Sequence, residues 1–112
     1  MALTMTRTRT QTALTKLAQM VAEVHGELAA LERLAREYPD HAEMLERRGS
    51  ELLQKRDALY LTLKQFDPDI DAATIGESDE WLRAYGRRDS KATLRRYLLS
   101  LQTSQDTLCA TD

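Results

Sequence analysis

Apolar residues recur in the first part of the chain at alternating intervals of three and four: Leu14, Leu17, Val21, Val24, Leu28, Leu31, Ala35 and Tyr38. No polar residue interrupts the series. It fills the a and d positions of consecutive heptads and predicts a helix buried along one seam. Ala18, Met20 and Leu34 flank the seam and widen it, so this helix is expected to meet more than one neighbour. It should run from about Gln11 to Glu37. Tyr38-Pro39 should end it, because the residue before a proline is pushed out of the helical region, and Asp40 is placed to cap the next helix.

A second helix is predicted from His41 to Phe66, with Ala42, Leu45, Gly49, Leu52, Leu59, Leu63 and Phe66 on its seam. Leu53 and Tyr60 lie at the edge, and Arg56 interrupts it. The connection is so short that the two helices are expected to fold back as an antiparallel hairpin. Glycine is unfavourable in a helix by ~1 kcal/mol relative to alanine. Gly49 on the seam therefore predicts a close helix crossing near Ala29 and Ala30, which Gly49→Leu would disturb. A two-helix hairpin leaves apolar flanks uncovered. The expected remedy is a homodimer of coiled-coil type whose interface comprises Leu14, Leu17, Val21, Val24, Leu28, Leu31, Leu45, Leu52 and Leu59.

Asp67-Pro68 stops the second helix and opens an acidic loop over 67–78, DPDIDAATIGES, with Ile70 and Ile75 as anchors to the core. Ser78 reads as an N-cap before Asp79 and Glu80, starting a short helix that ends before Gly86. Another short helix is expected from Ser90 to about Thr103, with Leu94, Tyr97, Leu98 and Leu101 on one face and Leu99 off it. Residues 1–10 alternate threonine with other residues without an apolar face and read as a flexible arm; residues 104–112 read as a flexible tail. The expected fold is all-α: a helical hairpin over 11–66 and a basic pair of short helices over 79–103, assembled as a dimeric bundle.

Composition supports helices, since aromatic residues at 5% and four glycines are scarce for a chain of strands and tight turns. A net charge of -2 gives no global field toward nucleic acid or acidic membranes. The distribution says more than the sum. Asp67 to Glu80 holds six acids and no base, whereas Trp81 to Leu101 holds six bases and one acid. Cys109, the one cysteine, has no intramolecular partner, which points to a reducing compartment and hence the cytoplasm. No membrane span or secretory signal is visible.

Chemistry has little to start from. Asp67-x-Asp69-x-Asp71 has the opening spacing of an EF-hand loop, but Ala72 and Ser78 stand where glycine and a bidentate glutamate are needed, so these aspartates read as turn formers. His25 flanks the seam, and VHGELAAL departs from the pattern of histidine phosphotransfer bundles. The chain lacks His-x-x-x-His spacing, a phosphate loop and a nucleophile elbow, so no metal, cofactor, small-molecule substrate or catalytic set is expected. Residues 79–103 have the outline of a helix-turn-helix, with Arg87, Arg88, Lys91, Arg95 and Arg96 available for a protein partner or for phosphate. The expected activity is therefore non-enzymatic: an adaptor, scaffold or regulator that self-associates and presents a basic C-terminal surface. The alternative is a small dimeric DNA-binding regulator.

Overall fold

The structure is a computed structural model that describes residues 2–88 and 90–110, with side chains described for 9–88 and 90–103. Three α-helices carry the fold: Ala2–Glu37 (α1), Ala42–Phe66 (α2) and Lys91–Ala110 (α3), with no strand among the described residues. At 1.5 Å per residue α1 is about 54 Å long, and the body measures 56 × 33 × 25 Å. The first helix thus sets the long axis.

Tyr38, at φ -128 and ψ 72, has left the helical region as a residue before proline should, and a 3-10 turn, Pro39–His41, leads into α2. Asp40 lies inside that turn and does not cap α2: no side chain bonds to the first amides of this helix. Later residues of α2 meet earlier residues of α1, with Gly49 beside Leu31, Arg48 on Glu27 and Tyr60 on His25. Between the two helices lie Val21, Val24, Leu31, Leu34, Leu45, Leu52, Leu59 and Leu63, all buried. Each contributes about 1.5–3 kcal/mol by leaving water. Met44 joins them, and Phe66, expected on the seam, is 47% exposed at the end of α2.

Three boundaries differ from expectation. Residues 2–10, expected as an arm, are the first turns of α1, because extending an existing helix adds one hydrogen bond per residue without a new nucleation cost. For the same reason α3 continues through 104–110, where a tail was expected. The short helix over 79–85 is instead a 3-10 helix, Glu80–Ala84. Ser78 is tied to α1, and Gly86, at φ +144, turns the chain only a few residues later, which leaves room for one tight turn.

Residues 67–79 cross α1 and α2 as an irregular strap. The aspartates form its turns: Asp67 Oδ1 accepts from the Asp69 amide at 3.1 Å and Asp71 Oδ1 from the Ala73 amide at 3.3 Å. Ile70 and Ile75 pack on the core as anchors, and Ser78 Oγ accepts from the Glu80 amide at 3.2 Å. The Ser78 amide donates to the carbonyl of Ala22 in α1 at 2.9 Å. That approach is possible because residue 26 is glycine: a Cβ there would lie 1.8 Å from the Ser78 carbonyl oxygen. Gly26, rather than Gly49, marks the closest approach of two backbones. At Gly49 a Cβ would meet only Leu31 Cδ1, at 3.9 Å, so the expected crossing near Ala29 and Ala30 is not tight there.

Candidate functional site

The α1–α2 pair has two flanks, and polar side chains occupy both. On one flank Glu27, 6% exposed, receives a bidentate pair of hydrogen bonds from Arg48, Nε to Oε2 at 2.7 Å and Nη2 to Oε1 at 3.3 Å. Tyr97 of α3, fully buried, donates its hydroxyl to Glu27 Oε2 at 2.5 Å. Burial pushes the Tyr97 phenol up, and its hydrogen bond to the Glu27 carboxylate raises it further. The same carboxylate pushes Arg48 up against the opposing effect of its burial, so the guanidinium stays charged. Trp81 and Tyr85 meet the Tyr97 ring edge-on, with centroids at 4.9 and 5.1 Å. One carboxylate thereby joins all three helices, and α3 covers this flank.

On the opposite flank His25 Nδ1 lies 2.8 Å from the Ile75 carbonyl and Nε2 lies 2.6 Å from the Tyr60 hydroxyl. A carbonyl can only accept, so Nδ1 carries the proton, and in the neutral ring Nε2 accepts from Tyr60. His25 is thus a strut between α1, α2 and the strap, at the edge of a packed interface as its position beside the seam suggested. Its two ring nitrogens are both engaged.

Beyond His25 this flank is open. A groove of about 580 Å³ runs between α1 and α2, with Leu28, Leu31, Leu45, Gly49, Leu53 and Ile75 along its floor and sides. Glu32, Glu46 and Glu77 line it as well, and none of the three has an ion pair or hydrogen bond among the described residues. The nearby cation, Arg56, pairs with Asp57 at 3.0 Å and lies over the Tyr60 ring at 5.5 Å. The groove is therefore apolar at its base and negative at its rim. Gly49 belongs to it, since space for a side chain exists there and is left empty.

The nine residues expected at an oligomer interface lie within the chain's own core. Val21, Val24, Leu31, Leu45, Leu52 and Leu59 are buried, and Leu14, Leu17 and Leu28 are half-buried against them. The basic segment divides in two. Arg88 pairs with Asp79 at 3.1 Å and Glu80 at 2.8 Å, and Arg96 donates to the Tyr85 carbonyl at 3.2 Å beside Gly86, so these two tie the segment together. Arg87 is exposed and also has an interaction within the chain. Lys91 and Arg95 are exposed on α3 with no ion pair or hydrogen bond among the described residues. Leu99, one turn beyond Arg95, is 61% exposed.

Sequence reasoning missed the Glu27–Arg48–Tyr97 group and the groove. The first had a signal: Glu27 and Arg48 both hold g positions of their heptads, flanking the seam with opposite charges. No described helix is long and apolar enough to cross a membrane. No known protein family matches the chain, and no curated protein or solved structure matches it.

Proposed function

We propose that this chain is a helical interaction protein without chemistry of its own: a hairpin scaffold, α1 with α2, that receives a polypeptide on one flank and presents the basic face of α3 on the other. The observation that carries this reading is the groove. Its base is aliphatic, its rim carboxylates have no ion pair among the described residues, and its one histidine and one arginine are engaged with Tyr60, the Ile75 carbonyl and Asp57. Apolar area with a charged rim is the composition of a surface that binds another protein.

The alternative, a DNA-binding regulator, draws on Lys91 and Arg95 at the exposed start of α3. Against it, Arg88 and Arg96, though exposed, are bonded to Asp79, Glu80 and the Tyr85 carbonyl of the same chain, and the first helix of the supposed helix-turn-helix is a five-residue 3-10 segment.

Two measurements separate these readings. A photo-crosslinking side chain at Leu53, activated in cells, is expected to trap a discrete polypeptide, and Gly49→Trp is expected to abolish the product by filling the groove. A labelled random duplex is expected to show no saturable anisotropy change at about 50 mM salt. Trapping that ignores Gly49→Trp would overturn the groove reading. Duplex binding that weakens steeply by about 200 mM salt and disappears in a charge-reversed Arg95 variant would put the DNA reading in its place.

A further inference from the structure

The two flanks of the α1–α2 pair are treated differently. α3 covers the side of Glu27 and Arg48 through Tyr97, while the side of His25 and Tyr60 is covered only at one end, by the strap residues Ala73, Ile75 and Glu77. A helical pair of this kind buries both flanks in a four-helix arrangement. The described residues hold three α-helices, and the groove lies where a fourth would pack.

We infer that the groove is filled by the outward face of α3 from a second copy of this chain. Residues Lys91, Arg95 and Leu99 succeed one another at intervals of four and so share one stripe of α3. Tyr97 is directed into the core, and Leu99, two residues on, lies about 200° further round the helix at 100° per residue, facing away from it. The stripe combines one exposed leucine with two cations that have no partner among the described residues. The groove combines an aliphatic floor with three carboxylates in the same condition. Apolar surface meets apolar surface and each cation meets an acid. Two copies of the groove face to face would instead oppose Glu32, Glu46 and Glu77 to themselves, which excludes that pairing in favour of the basic helix.

The geometry also sets the kind of assembly. The groove and the outer stripe of α3 lie on opposite flanks of one molecule, so a contact between them is head to tail and does not close on a two-fold axis. Each added copy exposes a fresh groove at one end and a fresh stripe at the other. Gly49 acquires a reason here: a leucine entering from a neighbouring helix needs a floor without a side chain, at a helical position where alanine would otherwise be the better residue.

This inference rests on the groove reading above and names its occupant. Sedimentation velocity on the full chain, from about 10 to about 300 µM, is expected to show mean mass rising with concentration past the dimer. Leu99→Asp, at an exposed position, and Gly49→Trp should each weaken association at least about tenfold. An equimolar mixture of these two variants retains one intact groove and one intact stripe, and it should form a dimer and stop there. Glu46→Lys and Arg95→Glu should each weaken association, and the chain carrying both should regain part of it. A wild-type chain that stays monomeric throughout, or variants that assemble as wild type does, would overturn the inference. So would a mixture that forms no dimer. If the wild type is monomeric while the Leu53 crosslinker traps a different polypeptide, the occupant is wrong and the groove reading survives; if nothing is trapped either, both fall.

Discussion

Gly26 and Gly49 both sit inside helices, and the structure predicts that alanine will have opposite effects at the two. In an exposed helix either change would stabilise by ~0.5–1 kcal/mol, because alanine loses less backbone freedom on folding. Gly49→Ala should realise this gain, since its Cβ would lie 3.9 Å from Leu31 Cδ1, an ordinary contact. At Gly26 the new Cβ would stand 1.8 Å from the Ser78 carbonyl oxygen and 2.8 Å from its carbonyl carbon. Those are main-chain atoms that no rotamer change can withdraw. The strap must shift by more than an ångström, which breaks the 2.9 Å bond from the Ser78 amide to the Ala22 carbonyl, worth ~1 kcal/mol. Repacking around the overlap costs ~1–3 kcal/mol more. After the propensity gain, Gly26→Ala should destabilise by about 1–3 kcal/mol. Urea unfolding followed by circular dichroism reads both signs. With an m-value of ~1–3 kcal/mol/M, the midpoint should fall by about 1 M for Gly26→Ala and rise by a few tenths for Gly49→Ala, with m unchanged in both. Midpoints that move in the same direction, or a rise for Gly26→Ala, would refute the placement of the strap on α1.

Arg48→Met should cost about 2–3 kcal/mol, because it leaves the Glu27 carboxylate, 8% exposed, without its cation. The triple change Glu27→Leu, Arg48→Met and Tyr97→Phe should cost less than Arg48→Met alone, and a cost equal to the sum of the singles in urea titrations would refute the coupling. Tyr97, pushed above its ordinary range, favours the protonated phenol in the folded chain. Its contribution is complete below the unfolded value of about 10 and is lost as pH climbs beyond it, by up to ~1.4 kcal/mol per pH unit. Urea midpoints between about pH 9 and 11 should therefore fall more steeply for the wild type than for Tyr97→Phe, and parallel slopes would contradict this. His25→Ala should free the Ile75 carbonyl and speed exchange of the Ser78 amide about tenfold with little change at Leu52, as hydrogen exchange can read. Uniform acceleration of both amides would mean that His25 supports the whole fold.

The helices were legible because their signals are periodic. The series from Leu14 to Tyr38 and the run Leu45, Leu52, Leu59, Leu63 report burial one turn at a time, and Tyr38-Pro39 states its own boundary. Ile70 and Ile75 announced the strap in the same way, as apolar residues alone among acids. The functions of the glycines were not legible. A glycine shows that a side chain is missing, and only the path of residues 72–79 shows whether backbone or empty space takes its place. The seam residues, too, carry no label for which helix covers them. Their spacing fits a second copy as well as this chain's own α2 and α3; in the structure they pack within this chain, with Leu14, Leu17 and Leu28 half-buried. The groove was harder still, because it is made of what α1, α2 and the strap do not cover.

The carboxylate of Glu27 has a consequence for registry. At the d positions of α2, Leu45, Leu52 and Leu59 repeat every seven residues, so a slide of α2 along α1 by one heptad would still set leucine against leucine or valine there. Such a slide moves Arg48 by about 10 Å, far outside the reach of its fork, and leaves the glutamate buried with no counterion. Tyr97 applies the same test to α3 from the other side. One acidic residue thus serves as an index mark along a repeating scale, and it is read independently by two helices that have no sequence in common.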